Sequence, residues 1–222
     1  MRRLLTAITL AALAAPAAAQ TVNEPSSGVA FPVSLTVADG STQVLLGTGL
    51  RTRTVLNVKV YAFGLYVDQA AARTALTSFA GKTAEQLAGD QTFYDTFLRM
   101  GFPMSMRLVM TRNVSGDQMS EAFNEVLGPR VTSAAGRGMP GGEQALATFR
   151  TYFSVDRLTS GTELLFTCAA DGTMHVSVGG ERKAPISSRA LCWALFDVYL
   201  GATPISPSGK RTAIARTPGI LR

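Results

Sequence analysis

Histidine occurs once in this chain, at His175, and cysteine twice, at Cys168 and Cys192. So few soft ligands exclude His-rich metal centres, four-cysteine zinc sites and cysteine-ligated iron–sulfur clusters. Lysine is also scarce, at positions 59, 82, 183 and 210 only, and the formal net charge is a modest +6. A positive balance that small and that evenly spread leaves no footprint for nucleic acid. Charged residues of both signs make up 16% of the 222 residues, against 46% hydrophobic, so the chain has the means to fold. A dinucleotide loop is missing too. Gly47-Thr48-Gly49-Leu50-Arg51-Thr52 starts like one, but it has no third glycine and no helix after it. No cofactor is expected.

What is present begins with a leader. Met1-Arg2-Arg3 is a short basic start, residues 4–15 are almost wholly apolar, and Ala17-Ala18-Ala19 supplies small residues at a cleavage site. The apolar run is too short for a permanent membrane span. Residues 1–19 are therefore expected to be a signal peptide, placing the mature protein outside the cytoplasm, in the periplasm. At the other end, Lys210, Arg211, Arg216 and Arg222 lie among small residues, glycine and proline. Residues 208–222 read as a basic, flexible tail able to touch an anionic membrane surface transiently.

Between these ends, residues 20–40 read as a lead-in and an edge strand over 29–37, with Pro32 at the edge. Residues 44–54 and 58–67 read as a hairpin turning near Leu56-Asn57, and 104–114 as a half-buried strand. Short helices are expected over 70–79 and 84–88. After Ser115-Gly116-Asp117, the apolar residues Met119, Ala122, Phe123, Val126 and Leu127 fall on one helical face. A Gly- and Arg-rich loop is expected over 128–142, then a helix carrying Leu146, Phe149, Tyr152 and Phe153. Residues 162–169 and 173–178 make a second hairpin around Asp171-Gly172. Ser188 caps an apolar final helix over 189–200. Hairpins with helices gathered mostly in the second half predict an α+β fold built on a large antiparallel sheet.

Candidates for chemistry are few. His175 sits on a hairpin strand and reads as a structural histidine, and Asp90 and Asp95 as solvated carboxylates. Cys168 and Cys192 lie on apolar faces where a thiol packs as a small hydrophobe, although an oxidising compartment also permits a bridge. Arg51 and Tyr61 stand out. Pairing about the Leu56 turn sets them opposite each other on one face, beside Phe63 and Leu65. A guanidinium fork and a phenol hydroxyl amid apolar side chains suit a carboxylate on a hydrophobic body. The plainer alternative is an exposed arginine and a core tyrosine.

Residues 46–52 (Leu-Gly-Thr-Gly-Leu-Arg-Thr) and 58–67 (Val-Lys-Val-Tyr-Ala-Phe-Gly-Leu-Tyr-Val) resemble the first core hairpin of the chalcone isomerase-like family. Residues 81–87, 112–116 and 200–207 continue the likeness, which spans about 43–207. The resemblance implies an open-faced β-sandwich, with a helical layer on one side of the sheet, as a domain over 41–207. It places the family's cleft arginine on Arg51. Tyr61 falls where fatty-acid-binding members have Tyr and the plant enzymes have Thr. The enzymes' catalytic Tyr, Asn and Thr fall on Met119, Val126 and Val198, with Ser120 and Asn124 nearby. A ligand cleft of Arg51, Tyr61, Phe63, Met119, Val126 and Val198 is thus expected to hold a fatty acid or similar carboxylate without catalysis. The alternatives are an isomerase-like intramolecular lyase, with Arg51 steadying the oxyanion, and a partner-binding envelope protein whose cleft is vestigial.

Overall fold

The computed structural model describes residues 20–53, 56–99 and 101–222, so the expected leader at 1–19 lies outside the described residues. A small ribbon opens the chain, β1 (Thr21–Asn23) pairing antiparallel with β2 (Ala30–Pro32). An eight-stranded sheet follows. Its long strands form a meander of β3 (Ser34–Thr36), β4 (Thr42–Arg53), β5 (Val58–Val67), β6 (Met104–Met110), β7 (Glu163–Cys168) and β8 (Thr173–Val178). β9 (Glu181–Arg182) and β10 (Ile186–Ser187) both pair with β8. The strand expected over 29–37 is in fact two. Pro32 has no N–H to donate and ends the ribbon, while Ser34 starts the sheet's edge.

The helices are α1 (Gln69–Ala75), α2 (Ala84–Ala88), α3 (Gln91–Leu98), α4 (Gly116–Ala135), α5 (Gly142–Thr151), α6 (Arg189–Leu200) and α7 (Pro207–Ile220). Ser115 and Gln118 form a reciprocal cap at the start of α4, and Ser188 caps α6. One face of the sheet meets this layer. Val67, Leu65, Phe63 and Tyr61 of β5 stand beside Met104, Met106, Leu108 and Met110 of β6, and all are buried in the main core. This is the α+β, open-faced arrangement of one sheet under helices.

Several local expectations are corrected. β6 is buried on both faces rather than half-buried, because the β1–β2 ribbon lies over its far side. There Phe31 sits with Leu45, Ala62, Tyr66 and Val109 in a second small core, and the Arg107 guanidinium lies 5.3 Å from the Phe31 ring. The 128–142 loop begins only after α4 has run through Gly128 and Pro129 to Ala135. Pro129 costs the helix one hydrogen bond, but Leu127, Val131 and Ala134 on its inner face are fully packed. α3 is a helix that the sequence pattern did not predict, although Asp90 caps it and Phe93, Tyr94, Phe97 and Leu98 are buried.

The C-terminal tail is the largest correction. Ser206 caps α7, Pro207 occupies its first turn, and Ala213, Ile214, Thr217 and Ile220 are buried against the domain. Residues 208–222 are thus mostly an integral helix, not a flexible extension. Finally, Cys168 and Cys192 are joined as a disulfide that ties β7 to α6. The free-thiol reading fails because strand and helix bring the two Cα atoms to 5.9 Å, well within bridging range.

Candidate ligand cleft

β4 and β5 pair in a register that sets Arg51 directly opposite Tyr61, and a bulge follows at once between Arg51 and Thr52. A bulge twists the strand locally and re-aims the side chain next to it. Here the pair stands near the turn end of the hairpin, where it meets the start of α4. The two surfaces enclose a cavity of about 230 Å³. Val58, Val60, Val114, Ala122 and Phe123 contribute to its walls, together with Arg51, Tyr61, Met119 and Val126. Four of the six expected ligand residues therefore share one cleft.

Phe63 and Val198 do not line it. The Phe63 ring is wholly buried between Gly49 and Gly209, edge-on to Tyr199 at 4.7 Å. Val198 is buried in the core, and its carbonyl accepts the Ile205 N–H. The neighbouring Tyr199, one position further along α6, does not line the cavity either, but it touches a residue that does. Its hydroxyl lies 2.8 Å from that of Tyr61. Sequence reasoning passed over Tyr199, yet a signal was there. It is the only hydroxyl-bearing side chain among the twelve residues of a mostly apolar helix.

Electrostatics give the cleft its sign. Arg51, Arg53, Arg112 and Glu125 all border it. Arg53 is spent on Glu125 at 2.6 Å, an exposed pair. The Arg51 and Arg112 side chains have no hydrogen bond or ion pair among the described residues. Arg51 is half-buried, so its charge is incompletely hydrated and a carboxylate is its natural complement. Burial pushes the Tyr61 hydroxyl above the usual phenol range, partly offset by the Tyr199 bond and by Arg51. The Tyr199 hydroxyl is raised further, again chiefly by burial. Both stay neutral at ordinary pH. If Tyr199 donates to Tyr61, the Tyr61 proton is left to point at a ligand beside Arg51.

Other candidates stay apart. Ser120 turns away to accept from Arg150, and Asn124 is not among the cleft residues. His175 stands on β8, half-buried. Asp90 caps α3 and pairs with Lys82, while Asp95 accepts from Gln91, so the two carboxylates form no acid–base pair. Among the described residues no cluster suited to a metal ion occurs.

A family model described as chalcone isomerase like matches residues 41–214. The curated relatives include a chalcone–flavanone isomerase of Oryza sativa subsp. japonica, 30% identical over 88% of each chain. Fatty-acid-binding protein 2 of Arabidopsis thaliana is 29% identical over 90% of this chain, which spans about half of that protein's length. Among solved structures, an Arabidopsis thaliana fatty-acid-binding protein superposes with a TM-score of 0.80 at 24% identity, covering 91% of this chain and 99% of that one. That likeness shows the fold. The model match over most of the sequence and the 30% identity to the Oryza sativa protein establish that the chain belongs to the chalcone isomerase-like family.

Proposed function

We propose that the protein binds a fatty acid or a similar hydrophobic carboxylate in the Arg51–Tyr61 cleft and releases it unchanged. One observation carries the reading: a half-buried, unpaired arginine lies across the hairpin from a neutral tyrosine hydroxyl at the mouth of an apolar cavity. The guanidinium fork meets a carboxylate, the tyrosine adds a directed bond, and Met119 and Val126 face the hydrocarbon. Relatives named as fatty-acid-binding proteins support it.

Relatives named as isomerases do not tip the balance the other way. Closing a chalcone ring needs donors that polarise the ketone as the enolate forms, and Met119 and Val126 offer none. The test is calorimetric titration with a series of fatty acids, with laurate as reference. A charge-assisted bond is worth about 1.5–3 kcal/mol, so Arg51→Ala should weaken laurate binding about ten- to a hundredfold. Affinity should climb with chain length by at most about 0.8 kcal/mol per buried methylene until the cavity is full. Equal binding by wild type and Arg51→Ala would remove the reading. Flavanone formed faster than background, and lost in Arg51→Ala, would replace it with the lyase.

A further inference from the structure

A second cavity, of about 860 Å³, lies between α3, α6 and α7. It shares no residue with the cleft above. Arg189, Trp193 and Asp197, spaced by four on α6, present one helical face to it. Arg99 follows the last turn of α3, Arg137 comes from the α4–α5 loop, and Lys210 from α7.

The charges do not cancel. Asp197 is neutralised by Arg130 at 2.9 Å, and Asp95 is exposed and hydrogen-bonded to Gln91. Arg99 bonds only to atoms of its own helix, and Arg189 only to the Ala170 carbonyl. The Arg137 guanidinium has no hydrogen bond or ion pair among the described residues, and lies over the Trp193 ring at 5.1 Å. Lys210 donates to the Gly201 carbonyl and sits 3.9 Å from the Tyr94 ring. Partial burial lowers its pKa, against the pull of Asp197, so its charge too is under-solvated.

We propose that this groove is a second ligand site, one that binds a phosphate ester through Arg99, Arg137, Arg189 and Lys210, with the Trp193 and Tyr94 rings against its organic body. Four cations exceed what one carboxylate needs. A phosphate monoester brings up to two charges and three acceptor oxygens, which match guanidinium forks. The groove has the size of a small-molecule site. The same chemistry comes from a soluble ester or from the headgroup of a lipid phosphate monoester such as phosphatidic acid.

Trp193 is the chain's only tryptophan, so its emission reports the groove directly. The full chain is titrated with glycerol 3-phosphate, and separately with vesicles of phosphatidic acid in phosphatidylcholine. The comparison variant is Arg99→Glu/Arg137→Glu, whose altered side chains are exposed; circular dichroism and laurate calorimetry at the other cleft verify its fold. A saturable change with glycerol 3-phosphate, weakened roughly tenfold or more in the variant, supports a soluble ester. The same behaviour with the anionic vesicles alone supports a lipid headgroup. No saturable change with either probe, or an equal response from wild type and variant, overturns the proposal. Neither outcome depends on whether laurate binds, so failure at one site is told apart from failure at the other.

Discussion

At the scale of single residues, the tyrosine pair is the least replaceable part of the cleft. Tyr61 borders the cavity, whereas Tyr199 is 1% exposed and does not, so the loss of the Tyr61 hydroxyl leaves Tyr199 without a neighbouring opening. Tyr61→Phe therefore strands a buried donor at Tyr199 and should cost about 1–3 kcal/mol of stability, besides weakening laurate binding. Tyr199→Phe leaves Tyr61 open to cavity water and should cost less. The double variant removes both partners and should be more stable than Tyr61→Phe alone, as denaturant midpoints would reveal. A double variant less stable than both singles would mean that ring packing and not the hydrogen bond holds the pair. Titration carries a second prediction at this scale. Burial raises the pKa of Tyr61, Tyr66, Tyr94 and Tyr199, so the unfolded chain releases these protons first. Their contribution is whole below the ordinary tyrosine pKa of about 10 and is lost as pH rises above it. Thermal midpoints measured toward higher pH should fall from about that point, and a flat profile would contradict the burial argument.

At the scale of elements, α7 shows what pattern reading sees and what it misses. Its sequence is mostly small residues, glycine, proline and arginine, with no clear apolar stripe, so 208–222 reads as a tail. The decisive information lies elsewhere in the chain, at Gly47 and Gly49 of β4. A Cβ on Gly47 would stand 2.6 Å from the Ala213 nitrogen, and one on Gly49 would stand 2.8 Å from the Gly209 Cα. The glycine-led strand is a docking surface for α7, a long-range fit that no local propensity reports. Gly47→Ala should push the helix backbone away and cost about 1–3 kcal/mol, read as a lower thermal midpoint. Gly219→Ala, on the same helix but facing open space, should be neutral or slightly stabilising. Equal effects of the two would show that α7 does not rest on β4. By contrast, the Arg51–Tyr61 pairing was legible from the hairpin's turn, although the bulge between Arg51 and Thr52 shifts the register on its turn side by one residue. The helix register was not. Val198 and Tyr199 differ by one position on a helix buried nearly all round, and an even apolar surface leaves no stripe by which to choose between them.

At the scale of the whole molecule, one covalent tie joins the two layers that the cleft depends on. The Cys168–Cys192 disulfide pins β7, in the sheet, to α6, which carries Tyr199. Bridges of this kind persist in oxidising compartments, which supports the export proposed from residues 1–19. Sequence alone left the bond open because both cysteines sit on apolar faces where free thiols are equally at home. Its energetic part follows from loop length. Closing a loop over a separation of 24 residues restricts the unfolded chain by about 3 kcal/mol in the chain-entropy account. In a chain of this size each kcal/mol moves the thermal midpoint by about 2–4 °C, so Cys168→Ala/Cys192→Ala should melt about 6–12 °C lower. The folded state has less to lose, since ten of the twelve α6 residues are buried against the sheet and neighbouring helices without help from the bond. Laurate affinity well below the melting range should therefore stay close to that of the oxidised protein. A variant that keeps its melting point would overturn the chain-entropy account, and one that stays folded yet loses laurate would place the disulfide's role in shaping the cleft.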